Sequence, residues 1–269
     1  MSIIEANHFI YTVRPGDSLY SIATSLGSAV QFIEQTNALY PPVTDPGLIY
    51  PGQVLIVTES GLQQKNQVRQ IVSPGNTLYR IAQRYSTNVE LLAGINQIIQ
   101  PQLILVNQLL LVPAFIYEVE NGDTLNKIAL RFGVSLSSLL EANRGRPGLS
   151  PDLIFPGYRL IIPLPTSANI AVTQPLPGET IQPGESLEGY ARLFEGSGLY
   201  RILDDTGQIV ANERAFQTLG GAPQFSYFSA VLQLDRTPRT PTGELWVYSR
   251  SPRDGSIQDL VQVKVRIAQ

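Results

Sequence analysis

"RPGDSLYSIA", residues 14–23, changes within a few positions from a turn sequence to a helix sequence. Pro-Gly breaks the preceding extended run, Asp-Ser offers side chains that cap a helix start, and Leu, Ile and Ala follow at helical spacing. The pattern returns as "SPGNTLYRIA" at 73–82 and as "ENGDTLNKIA" at 120–129. The chain therefore contains three copies of one unit, and this repeat decides the fold.

Each repeat predicts the same order of elements. A short extended run ("FIYTV", "RQIV" or "FIYEV") comes first, and the helical spacing after Leu19, Leu78 and Leu125 predicts a first helix. A second helix is predicted after Ser28, Asn88 and Ser135. It ends at Asn37, Asn96 and Asn143, where we expect Asn because it tolerates left-handed backbone. A β-rich run closes each unit ("QVLIV", "QLLLV" or "YRLII"). Each repeat is thus a βααβ unit with antiparallel strands.

These units resemble the LysM (lysin motif) domain, most closely through "PGDSLYSIA", the following Asn and "IYPGQ" in the first repeat. We predict LysM units at 9–58, 69–113 and 115–165. The resemblance implies binding of N-acetylglucosamine-containing glycans, meaning peptidoglycan or chitin, in a shallow groove between the loop after the first strand and the loop before the second. Carried over residue by residue, the ligand-binding residues are Gly16, Asp17, Ser18, Leu19, Leu48, Ile49, Tyr50 and Pro51 in the first repeat, and Gly122, Asp123, Thr124, Leu125, Leu153, Ile154, Phe155 and Pro156 in the third.

A structural role is the alternative for the same residues. Gly, Asp and Ser shape turns and cap helices, and Leu and Ile pack in cores, without touching any sugar. The second repeat departs from the pattern, because Asn76 replaces the Asp and "LVNQ" replaces "YPGQ". We expect the loss of Pro-Gly to change one wall of that groove and weaken sugar binding there. The long segment "TESGLQQKNQV" suggests that the first repeat moves freely, whereas the short "PAF" fixes the second repeat to the third.

The helical period stops after "PLPTSANI", and alternating runs follow. Short strands with frequent turn signals predict an antiparallel β-sandwich at 169–269. "LEGYARLFEG" and "GELWVYSRSPRDGSIQDLVQVKV" resemble the immunoglobulin-like domain of bacterial spore-germination proteins. Trp246 and Tyr248 lie on a predicted strand, either in the core or on a surface. The predicted fold class is multidomain, α+β and all-β: three βααβ LysM units followed by an immunoglobulin-like sandwich.

Composition limits the partners. The net charge is −3 and there is no Cys, so we expect no nucleic acid partner and no disulfide. The apolar stretch at 103–117 is interrupted by Asn107, Gln108 and Pro113, so we expect no membrane insertion. "MSIIEANHF" lacks the features of a signal peptide. We therefore expect synthesis in the cytoplasm of a mother cell and a location at the spore or cell wall.

No catalytic constellation is evident. Glycan hydrolysis needs an acid of raised pKa and a second carboxylate, whereas Asp204 and Asp205 sit in a predicted hairpin turn. The single histidine, His8, is expected to be exposed. We predict a binding protein that is not an enzyme and has no cofactor or metal site. Its partners are predicted to be peptidoglycan or chito-oligosaccharide. The alternative function is structural: spore-layer assembly through contacts with other proteins.

Overall fold

The computed structural model describes residues 2–59 and 67–268. Contacts divide the chain into two compact units. The first comprises Met1–Tyr85, Gln102–Ala129 and Ser135–Pro163, and the second comprises Ser86–Pro101, Leu130–Val134 and Leu164–Gln269.

The βααβ order is present three times, as predicted. Repeat 1 contains β1 (Asn7–Thr12), α1 (Leu19–Ser25), α2 (Val30–Thr36) and β2 (Val54–Thr58). Repeat 2 contains β3 (Gln67–Ile71), α3 (Leu78–Arg84), α4 (Val89–Ile95) and β4 (Leu109–Val112). Repeat 3 contains β5 (Ala114–Glu118), α5 (Leu125–Phe132), α6 (Leu136–Ala142) and β6 (Arg159–Pro163). Within each repeat, the two strands pair antiparallel.

The first helices begin where the sequence predicts. The hydroxyls of Ser18 and Thr77 accept hydrogen bonds from the backbone N–H three residues later, which satisfies an amide that the helix leaves open. Helix α2 differs slightly from the prediction, because Ala29 is its cap and the hydroxyl of Ser28 instead donates to the carbonyl of Thr58 at 2.7 Å.

The asparagine that ends each second helix has a different role from the predicted one. Asn37 and Asn143 have φ values of −108° and −100°, outside the left-handed region. In repeat 1 the Asn37 side chain instead bridges to β2, donating to the carbonyl of Ile56 at 2.8 Å and accepting from its N–H at 2.8 Å. Asn143 makes the same pair of bonds to Ile161. The carboxamide thus imitates a strand neighbour inside the core.

Repeats 1 and 2 share one four-stranded sheet in the order β2-β1-β3-β4. Its central strands are parallel, with Ile10 opposite Gln70. The expectation that repeat 1 moves freely is therefore wrong, since backbone pairing joins the two repeats. Of the segment on which that expectation rested, residues 60–66 lie outside the described residues. Two neighbouring parallel strands need a long connection, because the chain must return to the end of the sheet at which the first strand began. The rest of repeat 1 and the segment that follows it are long enough to make this connection.

Repeat 3 is joined to the same compact unit by backbone and side-chain bonds. The N–H of Ile4 donates to the carbonyl of Ile116 at 3.0 Å, and the N–H of Val54 donates to the carbonyl of Gly145 at 2.9 Å. His8 is completely buried in this unit, so the expectation that it is exposed is wrong. Its place on β1, between two neighbouring strands, accounts for the burial.

The second unit contains the β-rich domain. Its strands are β7 (Ile170–Gln174), β8 (Thr180–Ile181), β9 (Ser186–Ala191), β10 (Ser197–Asp204), β11 (Ile209–Gln217), β12 (Ser226–Val231), β13 (Thr242–Arg250) and β14 (Ile257–Ile267). They form a five-stranded sheet, β11-β10-β13-β14-β8, and a three-stranded sheet, β12-β9-β7, around one buried apolar cluster. Tyr248 is buried, whereas Trp246 is half-buried beneath the guanidinium of Arg201, 4.2 Å from its ring centre. Among the described strands, the pairing of β8 with β14 departs from the predicted antiparallel pattern, because this short edge strand runs parallel.

Candidate functional site

The loop after the first strand is fixed by the predicted aspartate. In repeat 1, the Asp17 carboxylate accepts from the hydroxyl of Tyr11 at 2.8 Å and from the backbone N–H of Arg14 at 2.7 Å. Burial raises the pKa of Tyr11 to about 12, and the bond to Asp17 raises it too. In repeat 3, Asp123 accepts from the hydroxyl of Tyr117 at 2.5 Å. The aspartate therefore closes the turn, and the following Ser or Thr caps the helix.

The loop before the second strand lies directly beside the first loop. In repeat 1, the N–H of Gly52 donates to the carbonyl of Val13 at 2.8 Å, and the N–H of Val13 donates to the carbonyl of Gln53 at 2.8 Å. In repeat 3, Val119 makes the same reciprocal pair with Gly157 and Tyr158, at 2.8 Å each. These bonds hold two loops side by side on an end of the strand pair, which is the arrangement that the predicted groove requires.

We call residues 16–19 with 48–51 groove 1, residues 75–78 with 103–106 groove 2, and residues 122–125 with 153–156 groove 3. The predicted residues differ in accessibility. Leu19 and Leu125 are buried in helix cores, which leaves them a packing role. The exposed members are Gly16, Ser18, Leu48, Tyr50, Pro51, Gly122, Thr124, Leu153 and Pro156. The half-buried members are Asp17, Ile49, Asp123, Ile154 and Phe155.

Groove 2 keeps the same backbone frame despite its different sequence. Asn107 occupies the position of Gly52 and adopts φ 71°, in the left-handed region, where Gly52 has φ 91°. Its N–H donates to the carbonyl of Val72 at 2.9 Å, as Gly52 does to Val13. The expectation that losing Pro-Gly changes this loop is wrong, because asparagine is among the few residues that accept a left-handed conformation.

The sequence reasoning missed several exposed apolar residues at these grooves. Leu103, Leu105 and Val106 project from the second loop of groove 2, with Leu105 74% exposed. Tyr20 and Tyr79 follow the buried Leu of the first helix in repeats 1 and 2 and are largely exposed. Their signal in the sequence is an aromatic residue on the polar side of an amphipathic helix, immediately after the capped turn.

Asp204 and Glu213 have the electrostatics of structural acceptors. Burial alone would raise the pKa of Asp204, but hydrogen bonds from Thr206, Arg239 and Gln208 outweigh it and lower the pKa to about 2. Glu213 has a lowered pKa because Arg250 and Tyr248 donate to its carboxylate. The pKa values of Glu120, Asp235, Glu244 and Asp254 are lowered as well. A general acid for glycan hydrolysis needs the opposite shift.

The described part of the chain offers neither a cluster of metal ligands nor a membrane-spanning helix. No group of three or more His, Asp or Glu residues there is placed to hold a metal ion. None of the helices described there is long and apolar enough to cross a membrane.

Comparison with known families supports the repeat structure. The LysM domain model matches residues 11–58, 71–113 and 117–163. The chain belongs to the LysM family. A second match, to the immunoglobulin-like domain of bacterial spore germination, covers residues 169–256. The LysM repeats are thus followed by a spore-germination type of immunoglobulin-like domain, and together they place the chain in a cell-wall and spore context.

Relatives are larger proteins. An autolysin of Enterococcus faecalis is 31% identical over 252 residues, covering 80% of this chain and 33% of the autolysin. A putative sporulation-specific glycosylase YdhD of Bacillus subtilis is 37% identical over 93 residues, covering 35% of this chain and 21% of that protein. The crystal structure of the Bacillus cereus spore cortex-lytic enzyme SleL matches 39% of this chain and 22% of its own at 39% identity, with a TM-score of 0.29. The LysM chain therefore spans about a third or less of the length of these relatives. Its three LysM domains indicate peptidoglycan binding.

Proposed function

We propose that the LysM chain binds N-acetylglucosamine-containing glycans of peptidoglycan, and chitin oligomers of the same chemistry, without catalysis. The LysM units are proposed at 9–58, 69–113 and 115–165 and the immunoglobulin-like domain at 169–269. Groove 1 and groove 3 are the proposed sugar sites. Their predicted residues remain proposals for contact, with Leu19 and Leu125 acting through packing.

One observation carries this proposal. In groove 1 and groove 3, reciprocal backbone bonds fix two loops side by side, while Tyr50 and Leu153 stay more than half exposed beside them. An acetamido group needs a backbone donor, a backbone acceptor and an apolar surface for its methyl group. Sugar sites commonly combine a few polar groups with apolar contact, and the loops supply both.

We propose that the groove residues bind glycan and take no part in catalysis. This chain covers only 33% of the autolysin of Enterococcus faecalis, and we propose that the activity which that name implies does not extend to this chain. The lowered pKa values of Asp204 and Glu213 support this proposal, because a general acid for glycan hydrolysis needs a raised pKa. The proposed location is the spore or cell wall after synthesis in the mother-cell cytoplasm. Spore-layer proteins are the alternative partners, and the immunoglobulin-like domain of the spore-germination type at residues 169–256 is the part of the chain we would expect to contact them.

A sedimentation assay with insoluble polymers tests the proposal. The full chain should sediment with spore-cortex peptidoglycan and with chitin, but not with cellulose, which lacks the acetamido group. Tyr50→Asp combined with Leu153→Asp places a charge in groove 1 and in groove 3 and should greatly reduce sedimentation. Leu219→Asp changes a leucine that is 85% exposed in the second unit and is the matched control. Sedimentation of the double variant at the control level would contradict groove 1 and groove 3 as the sugar sites. Failure of the unsubstituted chain to sediment with either polymer would favour the spore-layer alternative.

A further inference from the structure

The strand pairs β1–β2 and β3–β4 are related by a half-turn about an axis parallel to the strands, combined with a shift of one residue along it. The central strands β1 and β3 are parallel, and each has its antiparallel partner on its outer side. In the aligned motifs Gln70 corresponds to Tyr11, yet Gln70 lies opposite Ile10. The two repeats are therefore offset by one residue. Because side chains alternate across a sheet, a one-residue offset sends equivalent side chains to opposite faces.

Side-chain contacts confirm the opposite faces. Tyr11 and Val13 point into the apolar core under the helices of repeat 1, and Ile71 of repeat 2 joins them there. Gln70 points the other way, where its side-chain oxygen accepts from the hydroxyl of Tyr85 at the end of α3 at 2.8 Å. The helices α1 and α3 thus cover opposite faces of one sheet.

The half-turn leaves groove 1 and groove 2 at the same end of the sheet. Thr12 ends β1 opposite Val54, the first residue of β2, and Ile71 ends β3 opposite Leu109, the first residue of β4. The two grooves are centred over neighbouring strand pairs, so about 10 Å, or two strand spacings, separates them. The guanidinium of Arg14 connects them by donating to the side-chain oxygen of Asn107 at 2.7 Å.

This symmetry determines how glycan strands can occupy the pair. A glycan strand has a direction, from its reducing to its non-reducing end. A half-turn reverses any direction that lies across its axis, so one straight strand crossing both grooves would meet them in opposite senses. If each groove instead runs parallel to the axis or perpendicular to the plane of the sheet, the two bound glycan strands lie side by side. In every orientation, equivalent occupancy of both grooves requires two strands.

We propose that groove 1 and groove 2 bind two separate N-acetylglucosamine-containing strands and hold them next to each other as a rigid bridge. This inference rests on the proposed function. Groove 2 can bind a strand of its own, because the backbone bonds between its loops match those of groove 1 and because Leu103 and Leu105 are exposed on it. The shared sheet fixes the spacing of the two strands.

Native mass spectrometry with a linear octamer of N-acetylglucosamine, which is long enough to reach from one groove to the next, tests this bridge. The full chain with Leu153→Asp, which blocks groove 3, should bind two octamers. Adding Leu105→Asp or Tyr50→Asp should remove one octamer and change the affinity for the other by about twofold or less, because separate sites act independently. Leu219→Asp should change neither number.

Two results would overturn the bridge. One is a single bound octamer whose affinity falls on either Tyr50→Asp or Leu105→Asp, which means that one strand spans both grooves. The other is a single octamer indifferent to Leu105→Asp, which means that groove 2 is empty. Both leave glycan binding intact. Failure of the unsubstituted chain to bind any octamer would instead contradict the proposed function itself.

Discussion

The guanidinium of Arg146, in repeat 3, donates a hydrogen bond to the side-chain oxygen of Asn37, which ends helix α2 in repeat 1. The same guanidinium donates to the carbonyl of Arg159 at 2.7 Å and lies 5.4 Å from the ring centre of Tyr158. Arg146 is buried, and that burial lowers its pKa. A buried cation without a carboxylate partner needs these acceptors to offset the cost of its burial. Because the acceptors come from repeat 1 and repeat 3, Arg146 holds the two repeats in one arrangement.

Removal of this arginine should destabilise the first unit. Arg146→Ala leaves a cavity and an unpaired carbonyl at Arg159, and we expect a loss of about 2 to 4 kcal/mol in the free energy of unfolding. Urea unfolding followed by circular dichroism measures it. Arg144→Ala is the control, because Arg144 is exposed and its ion pair with Glu141 contributes at most about 0.5 kcal/mol. Equal losses of unfolding free energy in the two variants would contradict the claim that Arg146 joins repeats 1 and 3.

The buried asparagine of repeat 3 should be equally sensitive. Asn143→Ala removes the partners of both backbone groups of Ile161, and we expect a loss of about 2 to 4 kcal/mol. Hydrogen exchange should show faster exchange of the Ile161 amide. Asn126→Ala, at an exposed position of α5, should leave both quantities unchanged. Unaltered protection of the Ile161 amide in Asn143→Ala would mean that the carboxamide bridge is not needed.

His8 should make stability depend on pH. Burial lowers the pKa of His8 to about 4, outweighing the opposing bond to the carbonyl of Ile4, and the charge of Arg159 lowers it as well. The unfolded chain therefore binds more protons between pH 4 and 6.5, so stability is complete above about pH 6.5 and falls as the pH drops towards 4. We expect a loss of about 2 to 3 kcal/mol between pH 7 and 4.5.

The variant His8→Gln isolates this effect. Glutamine can still donate to Ile4 and accept from the hydroxyl of Thr58, which contact the two ring nitrogens of His8 at 3.2 and 3.1 Å. Because it does not titrate, the variant should lose less stability than the unsubstituted chain over the same pH range. Parallel losses would show that other groups cause the pH dependence.

Asn107, which follows the second loop of groove 2 and has a left-handed backbone conformation, allows the conformation of that loop to be tested. Asn107→Gly should preserve the free energy of unfolding to within about 0.5 kcal/mol, because glycine adopts φ 71° freely. Asn107→Val should cost about 1 to 3 kcal/mol, since a β-branched residue is strained at this φ. Thermal unfolding distinguishes them. A valine variant as stable as the glycine variant would mean that the loop adopts another conformation.

The sequence predicts the elements within a repeat well and the joining of repeats poorly. Helical spacing after Leu19, with Ser18 as its cap, is local information and gives helix α1 directly. The pairing of Ile10 with Gln70 brings together strands from different repeats, and no local pattern encodes it. The parallel pair β1–β3 therefore appears only in the structure.

The same distinction applies to the candidate site. The turn role of Asp17 follows from its place after Pro-Gly, although its bond from Tyr11 depends on strand geometry. The sequence mispredicts the loop conformation at groove 2, because Asn107 differs from glycine in sequence and resembles it in backbone conformation. The sequence also mispredicts the role of Asn37, because its partner Ile56 lies on a strand that a rule for helix ends does not consider.

The most direct measurement of the central claim is a titration of the full chain with N-acetylglucosamine tetramer, followed by backbone amide chemical shifts. Glycan binding in the grooves predicts that amides at 16–19, 48–50, 122–125 and 153–155 shift progressively and saturate, while those of the immunoglobulin-like domain do not. Tyr50→Asp should remove the shifts at 16–19 and 48–50 and leave those of groove 3. Saturating shifts confined to residues 169–268, or unchanged groove 1 shifts in Tyr50→Asp, would contradict the account.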